Sequence, residues 1–399
     1  MIKKLLILST IFFITGCWDY RELNDLAIVG SISIDIVDDK FVIAAQIMNA
    51  KKEGGTGTIS GSSTSAPIVV YKFSGNTMSN TLRKMTTESP KKLYIGHISL
   101  ILISENAAKD GFKEISDFLL RDHESRKQFE VLIIKDSPVD QPLSILDHLE
   151  ALTVQATLNS LKNASNYYGN VTPIAFDEFL AYGFATGING VIPYATLEGN
   201  VKEGEKKEST ETSIPQAKII MRGMSVFKED KLMGFLDEND SIGFNFILGN
   251  LKSAMIPFKC DEKDYATTEI IRYKTELKVN VKNNKPLVNL KVTGEANQAE
   301  INCKVNMEVL EGRNFIMNLM NDEIKRLMSS SIDTVKEEFA SDIFGFEEYL
   351  YKHNYKYWKK IEKNWDDLFK NIEYEIDVDI MLAKKGSTLT SVKEVKSGS

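Results

Sequence analysis

The start of this chain restricts it most. Two lysines, Lys3 and Lys4, precede an apolar run from Leu5 to Ile14, the small pair Thr15-Gly16 and then Cys17. Charge enters at once afterwards, with Trp18, Asp19, Arg21, Glu22 and Asp25. A helix needs about 20 apolar residues to cross a bilayer, and this run has about half of them. Positive charge, a short apolar core and small residues are the three regions of an export leader, so residues 1–16 are expected to be removed. No later segment reaches the length of a span; even "LYIGHISLILIS" contains His97 and stops within about a dozen residues. The rest must fold in water. From Cys17 to Ser399 it is too long for one domain of roughly 150 residues, so two or three are expected.

The cysteine at the cut sets the destination. "ITGC" resembles the lipobox of bacterial lipoproteins, in which the cysteine thiol takes a diacylglyceryl group and becomes the first residue of the mature chain. One acyl chain holds weakly, whereas two or three on Cys17 would make a stable tether. The formal net charge of −7 argues against nucleic acid or an anionic surface as the main partner. Cys260 and Cys303 could pair outside the cell; two small buried thiols are the first reading.

Strand patterns open the first half: "LAIVGSISIDIV", the tight "DDK" and "FVIAAQIMNA" read as a β-hairpin turning at Asp38-Asp39. The Gly/Ser/Thr stretch 53–67 lacks the Lys-Ser/Thr of a phosphate-binding loop and reads as a mobile loop. Helices are expected near Asn76–Thr87 and Asn106–Leu120, and a long one from Pro142 to Lys162, with strands between the first three blocks. The charged stretch 199–213 marks a long hairpin loop or linker between an N-terminal α/β region, 17–198, and a C-terminal domain, 214–386, followed by a polar tail, 387–399. Beyond it come strands around Glu229-Asp230, long strands near Thr267–Val281 and Pro286–Val292, and another near Glu300–Glu308. An amphipathic helix follows from about Arg313 to Phe339, with Phe315, Leu319, Ile324, Leu327, Met328, Ile332 and Val335 on its apolar face. A last helix, Tyr355 to Phe369, precedes the strand "YEIDVDIMLAKKG". Mixed or antiparallel sheets flanked by helices, a multi-domain α+β fold, fit this order.

Catalytic signatures are missing from the sequence. His97, His123, His148 and His353 make no i, i+4 metal pair, and no Gly-x-Ser-x-Gly elbow offers a nucleophile. Asp237 with Asp240, or Asp366 with Asp367, read as caps or solvated faces. No catalytic residue, metal site or cofactor is expected. Tyr351, Tyr355, Trp358, Trp365 and Phe369 recur near three-to-four and seven-residue intervals. They read first as core packing, with a docking face led by Trp358 and Trp365 as the alternative.

Four blocks carry a family resemblance. "GCWDYRELNDLAIVGSISID" resembles the mature start of the C-subunit lipoproteins of spore germinant receptors, placing Cys17, Trp18, Asp19, Glu22, Leu23, Gly30 and Asp35 on matching positions. "LYIGHISLILISENAAKDG" is similar to the family's Gly-His strand and the helix after it, through Gly96 and His97. "RGMSVFKEDKLMGFLDENDSIGFNFILG" is similar to its Val-Phe-lysine hairpin. "DIFGFEEYLYKHNYKYWKKIEKNWDDLF" resembles its Asp-x-x-Gly-Phe start and Trp-Trp helix, through Asp342, Gly345, Phe346, Trp358 and Trp365.

The resemblance implies a non-enzymatic subunit of three mixed α/β domains on the outer face of the spore inner membrane. It would act with an A subunit and a transporter-like B subunit in nutrient-triggered germination. Cys17 is the implied lipid site, and Trp18, Asp19, Glu22 and Leu23 would lie next to membrane and partners. The alternative from another class is a solute-binding lipoprotein of an importer, which needs two α/β lobes around a cleft. A lipid-anchored hydrolase is weakened by the missing motifs.

Overall fold

A computed structural model describes residues 22, 25–49, 66–121 and 126–384. The leader, Cys17, Trp18, Asp19, Leu23, His123, nearly all of loop 53–67 and the tail 387–399 lie outside the described residues.

The first sheet starts from the expected hairpin, β1 (Leu26–Val37) and β2 (Lys40–Met48). Its turn residues Asp38 and Asp39 have φ of 49° and 56°, the left-handed pair that a two-residue type I′ turn demands. β3 (Ile68–Gly75) pairs with β2. β4 (Lys92–Tyr94) and β5 (Leu100–Ser104) both run parallel to β1, at its start and along its middle. β6 (Glu130–Ile134) and β7 (Val191–Gly199) continue the parallel run. β8 (Ala217–Lys228) and β9 (Lys231–Phe235) then add antiparallel. The order is β3-β2-β1-β5-β6-β7-β8-β9. "LILIS" of β5 is buried at every position, as a strand covered on both faces must be.

The covering helices are shorter than their periodicity predicts. Asn76–Thr87 becomes α1 (Met78–Lys84) and a 3₁₀ turn, Met85–Thr87. Asn106–Leu120 is two helices, α2 (Glu105–Asp110) and α3 (Lys113–Arg121), broken by Gly111 at φ 128°. The single helix expected over Pro142–Lys162 is α4 (Gln141–Ser144) and α5 (Thr153–Asn163). Asp147 causes that break: its Oδ1 accepts the N–H groups of Leu149 and Glu150, a local bond that competes with the helix, and Leu149 ends 94% exposed. α6 (Phe176–Phe184) precedes β7. The charged stretch after β7 holds α7 (Val201–Gly204) and a 3₁₀ turn, Lys207–Glu211. It connects two antiparallel neighbours, β7 and β8, and so is a hairpin loop.

α8 (Glu238–Leu248) links the two sheets and is buried on all sides, from Asp240 to Ile247. On one flank Ser241 Oγ accepts the N–H of Met224 in β8 (2.9 Å). On another, Tyr273 Oη donates to the Asn245 carbonyl (3.0 Å) and Thr275 Oγ1 to that of Phe246 (2.6 Å), both from the second sheet. That sheet has the order β10 (Ala254–Lys259), β11 (Tyr265–Lys282), β12 (Lys285–Ile301), β13 (Glu373–Lys384), with β13 parallel to β12 and the other pairs antiparallel.

A helical layer completes the core with α9 (Leu310–Thr334), α10 (Phe346–His353), α11 (Tyr355–Ile361) and α12 (Trp365–Lys370). α9 starts earlier than expected and ends in a π-turn, Val335–Phe339, stopped by left-handed Ala340. Phe315 is 45% exposed, and Ile316 and Met320 hold the core positions instead. The helix expected over Tyr355–Phe369 is interrupted by a 3₁₀ turn, Glu362–Asn364. The strand expected at Glu300–Glu308 is only the end of β12 and a following turn. The architecture is α+β: two mixed sheets flanked by helices.

Cys260 and Cys303 form a disulfide, with Cα atoms 5.9 Å apart, which corrects the reading as two buried thiols. Register explains it: Cys260 follows β10, Cys303 follows β12, and β11 pairs with both. Closing 43 residues of chain stabilises the fold by about 4 kcal/mol in the chain-entropy account. Cys303→Ser should lower the urea midpoint of the mature chain, and reductant should lower the wild type's to match. At Gly243 a Cβ would overlap the Leu327 carbonyl of α9. Gly243→Val should cost about 3 kcal/mol by the same measurement, through overpacking at a crossing that cannot open.

Candidate functional site

Glu22, the described member of the predicted membrane-proximal group, is exposed, and its carbonyl accepts the N–H of Asp25 (3.0 Å). Gly30 and Asp35 are structural. The Gly30 carbonyl accepts the N–H of Ser99, and Asp35 Oδ1 accepts from Ser104 Oγ, the side chain that caps α2. Gly96 is buried, and His97 is exposed with its ring edge-on to Tyr94, 5.6 Å away. His148 lies in the loop between α4 and α5, and His353 stacks on Tyr349 at 4.1 Å.

The carboxylate pairs serve the fold. Asp237 caps α8 through the N–H of Asp240 (2.8 Å). Asp240, 6% exposed, accepts from Ser330 Oγ (2.6 Å) and Thr334 Oγ1 (2.7 Å) of α9. Asp366 pairs with Lys228 at 2.7 Å. No group of three His, Cys, Asp or Glu that could hold a metal occurs among the described residues.

Both tryptophans of the last helical region face inward, Trp358 at 6% and Trp365 at 4% exposure. Trp358 Nε1 donates to Glu347 Oε1 (2.9 Å), and burial pushes that carboxyl above its usual range. Tyr351 and Tyr355 stay outside, at 39% and 55% exposure, against the edge of Trp358. The predicted aromatic face thus splits into a core half and a surface half.

The Asp-x-x-Gly-Phe block is a buried anion nest. Asp342, 3% exposed, accepts at Oδ1 from the N–H groups of Phe344 (3.1 Å), Gly345 (2.9 Å) and Phe346 (3.2 Å), and at Oδ2 from Glu347 (2.8 Å). Gly345 is there because the chain needs φ 74° to wrap the carboxylate and enter α10. The Asp342 carbonyl takes the N–H of Asn189, and the Gly187 carbonyl that of Glu348, which ties α10 to the loop before β7.

A cleft of about 700 Å³ opens between α1 and α3 over Leu93, Ile95 and Phe118, rimmed by Arg83, Lys113 and Arg121 against Glu114 and Asp117. Arg121 is held by Asp117 at 2.8 Å. The cleft is lined from segments far apart in sequence, and no sequence signal marks it.

Burial pushes Asp342 up to about 7, against the pull of its N–H donors. Its folded value then lies above the unfolded one near 3.8, so its contribution is full at acid pH and is lost as pH rises toward about 7. Asp342→Asn should flatten that part of the stability-pH curve. Asp342→Ala should lower stability by about 3 kcal/mol at acid pH, by stranding buried N–H donors, and by less as pH rises toward about 7. Urea titrations across pH read both.

A family model described as spore germination protein N-terminal domain matches residues 19–197. A second, described as spore germination B3/GerAC like, C-terminal, matches residues 222–386. Spore germination protein KC of Bacillus subtilis (strain 168) is 26% identical over 388 residues, 95% of this chain and 94% of that one. Spore germination protein GerQC of Bacillus cereus is 21% identical over 398 residues, 97% of this chain and all of that one. The crystal structure of the GerBC protein superposes with a TM-score of 0.56 at 15% identity, covering 88% of this chain and 97% of that one, and shares the fold. The chain belongs to the GerAC-like family of spore germination proteins.

Proposed function

We propose that this chain is the lipid-anchored C subunit of a nutrient germinant receptor, acting on the outer face of the spore inner membrane beside A and B subunits and performing no chemistry of its own. The observation that carries the reading is the pair of spore germination family matches, which run in order over residues 19–197 and 222–386. Relatives named as spore germination proteins align over nearly their whole length, so the role proposed is that of the whole protein. Residues 5–14 with Gly16 and Cys17 supply the tether. No helix among the described residues is long and apolar enough to cross a membrane, so the acyl group does the holding in this reading. A tether raises the effective concentration of the subunit at its partners, much as a short linker does.

Spores lacking the gene should fail to lose optical density after one class of nutrient is added, while vegetative growth stays normal. Spores carrying Cys17→Ala should respond more slowly, with the protein shifted out of the membrane fraction. Normal germination with failed uptake of a solute would overturn the reading in favour of an importer's binding protein.

A further inference from the structure

The whole-chain charge of −7 conceals a local reversal. Between Tyr351 and Lys363 the chain carries five lysines, His353 and one glutamate. All five lysines are exposed. Lys352 is paired with Glu348 at 2.7 Å and Lys359 with Glu362 at 2.8 Å. Of the other nearby carboxylates, Glu347 is taken by Trp358 and Asp366 by Lys228, while Asp367 follows Lys363 by four residues. Lys356, Lys360 and Lys363 form no ion pair within the described residues; Lys356 and Lys360 share one face of α11 at i, i+4, and Lys363 follows in the exposed 3₁₀ turn. Like charges at that spacing oppose helix formation, so this stripe does not serve the stability of α11.

The neighbouring chain adds to the same surface. Tyr357 Oη donates to the Asn284 carbonyl (3.0 Å), fixing the β11–β12 hairpin tip against α11 with exposed Lys282 and Lys285 on either side of the turn. Exposed Tyr351 and Tyr355 stand among these lysines, their rings supported by Trp358 at 4.8 and 5.3 Å. Lysine side chains around amphipathic rings on a rigid base suit the headgroup level of an anionic bilayer.

Sheet topology decides between a bilayer and an acidic protein. β1, β5, β6 and β7 run parallel, so their starts share one end of the sheet. Asp25 precedes β1 at that end, and the loop that holds α10, through Gly187 and Asn189, precedes β7 at the same end. Across the sheet three strand spacings separate them, roughly 15 Å, and because β1 begins before the level at which Ser31 pairs with Leu100 of β5, Asp25 also stands further out along the strand. The eight residue steps from Cys17 to Asp25 reach at most about 28 Å. Tether and basic face can therefore meet one surface together.

We propose that the α10–α11 corner with the β11–β12 tip is a membrane-contact face that binds anionic phospholipid headgroups and sets the tethered subunit's orientation. The choice of a bilayer as the occupant and the orientation both rest on the reading of Cys17 as acylated; the binding itself is read without the lipid.

The test uses the mature chain, 17–399, carrying Cys17→Ser; the first buried residue among those described is Ala27, so nothing of that core is removed. It is sedimented with vesicles of phosphatidylcholine alone and of equal parts phosphatidylcholine and phosphatidylglycerol. Binding is expected to the anionic vesicles only and to vanish in high salt. Lys356→Gln/Lys360→Gln/Lys363→Gln should weaken it roughly a hundredfold, at about five-fold per lysine. Tyr351→Ser/Tyr355→Ser should weaken it further. Lys202→Gln/Lys206→Gln/Lys218→Gln, around the far end of β7, should leave it unchanged. Absence of binding to anionic vesicles, or equal binding by the two lysine triples, overturns the proposal. Because this chain bears no lipid, the result is independent of the tether, which membrane fractionation of Cys17→Ala spores tests separately.

Discussion

The burial of α8 on every side is the constraint on which the rest of the structure depends. A helix that is apolar all round has no solvent face and must be enclosed by other elements. The enclosure here comes from β8 on one flank, β11 on another and α9 across the Gly243 crossing. The buried polar side chains Asp240, Ser241 and Asn245 are satisfied inward. Asp240 binds Ser330 and Thr334, and Asn245 accepts from Thr172 Oγ1 and donates to the Gly169 carbonyl. A buried carboxylate or amide costs several kcal/mol when left unpartnered, so each of these bonds also selects one relative placement of the two sheets.

A second junction works by the same logic at the other side of the helical layer. Asp342 gathers four N–H groups at the start of α10, while its own carbonyl and that of Gly187 lock the helix to the loop before β7. The last helices are thereby fixed to the first sheet as well as to the second. A surface patch carried on them has a defined position relative to the first sheet.

Charge distribution carries functional meaning that the total obscures. The net value of −7 is an average over the chain, for five lysines and two tyrosines stand exposed on α10, α11 and the turn after them. Acidic residues elsewhere, such as Glu373, Glu375, Asp377 and Asp379 along β13, account for the negative balance and blunt an open sheet edge.

Local chemistry was legible where one residue type leaves one solution. The Asp38-Asp39 turn, the long amphipathic α9, the paired long strands and the family blocks could all be read directly, because each is set by neighbours in sequence. Helix lengths were not legible: Asp147 and Gly111 end helices that apolar periodicity would continue, and periodicity is blind to side-chain bonds and φ. The disulfide was decided only by strand register, which brings residues 43 apart to one end of the sheet. The split of the aromatic face, with Trp358 and Trp365 inward and Tyr351 and Tyr355 outward, depends on which elements arrive to cover it. Sequence alone determined the family and the α+β class, since these are written in contiguous residues. Tertiary structure alone decided the enclosure of α8, the cleft between α1 and α3 and the placing of the lysine stripe, since each is assembled from segments that meet only after folding.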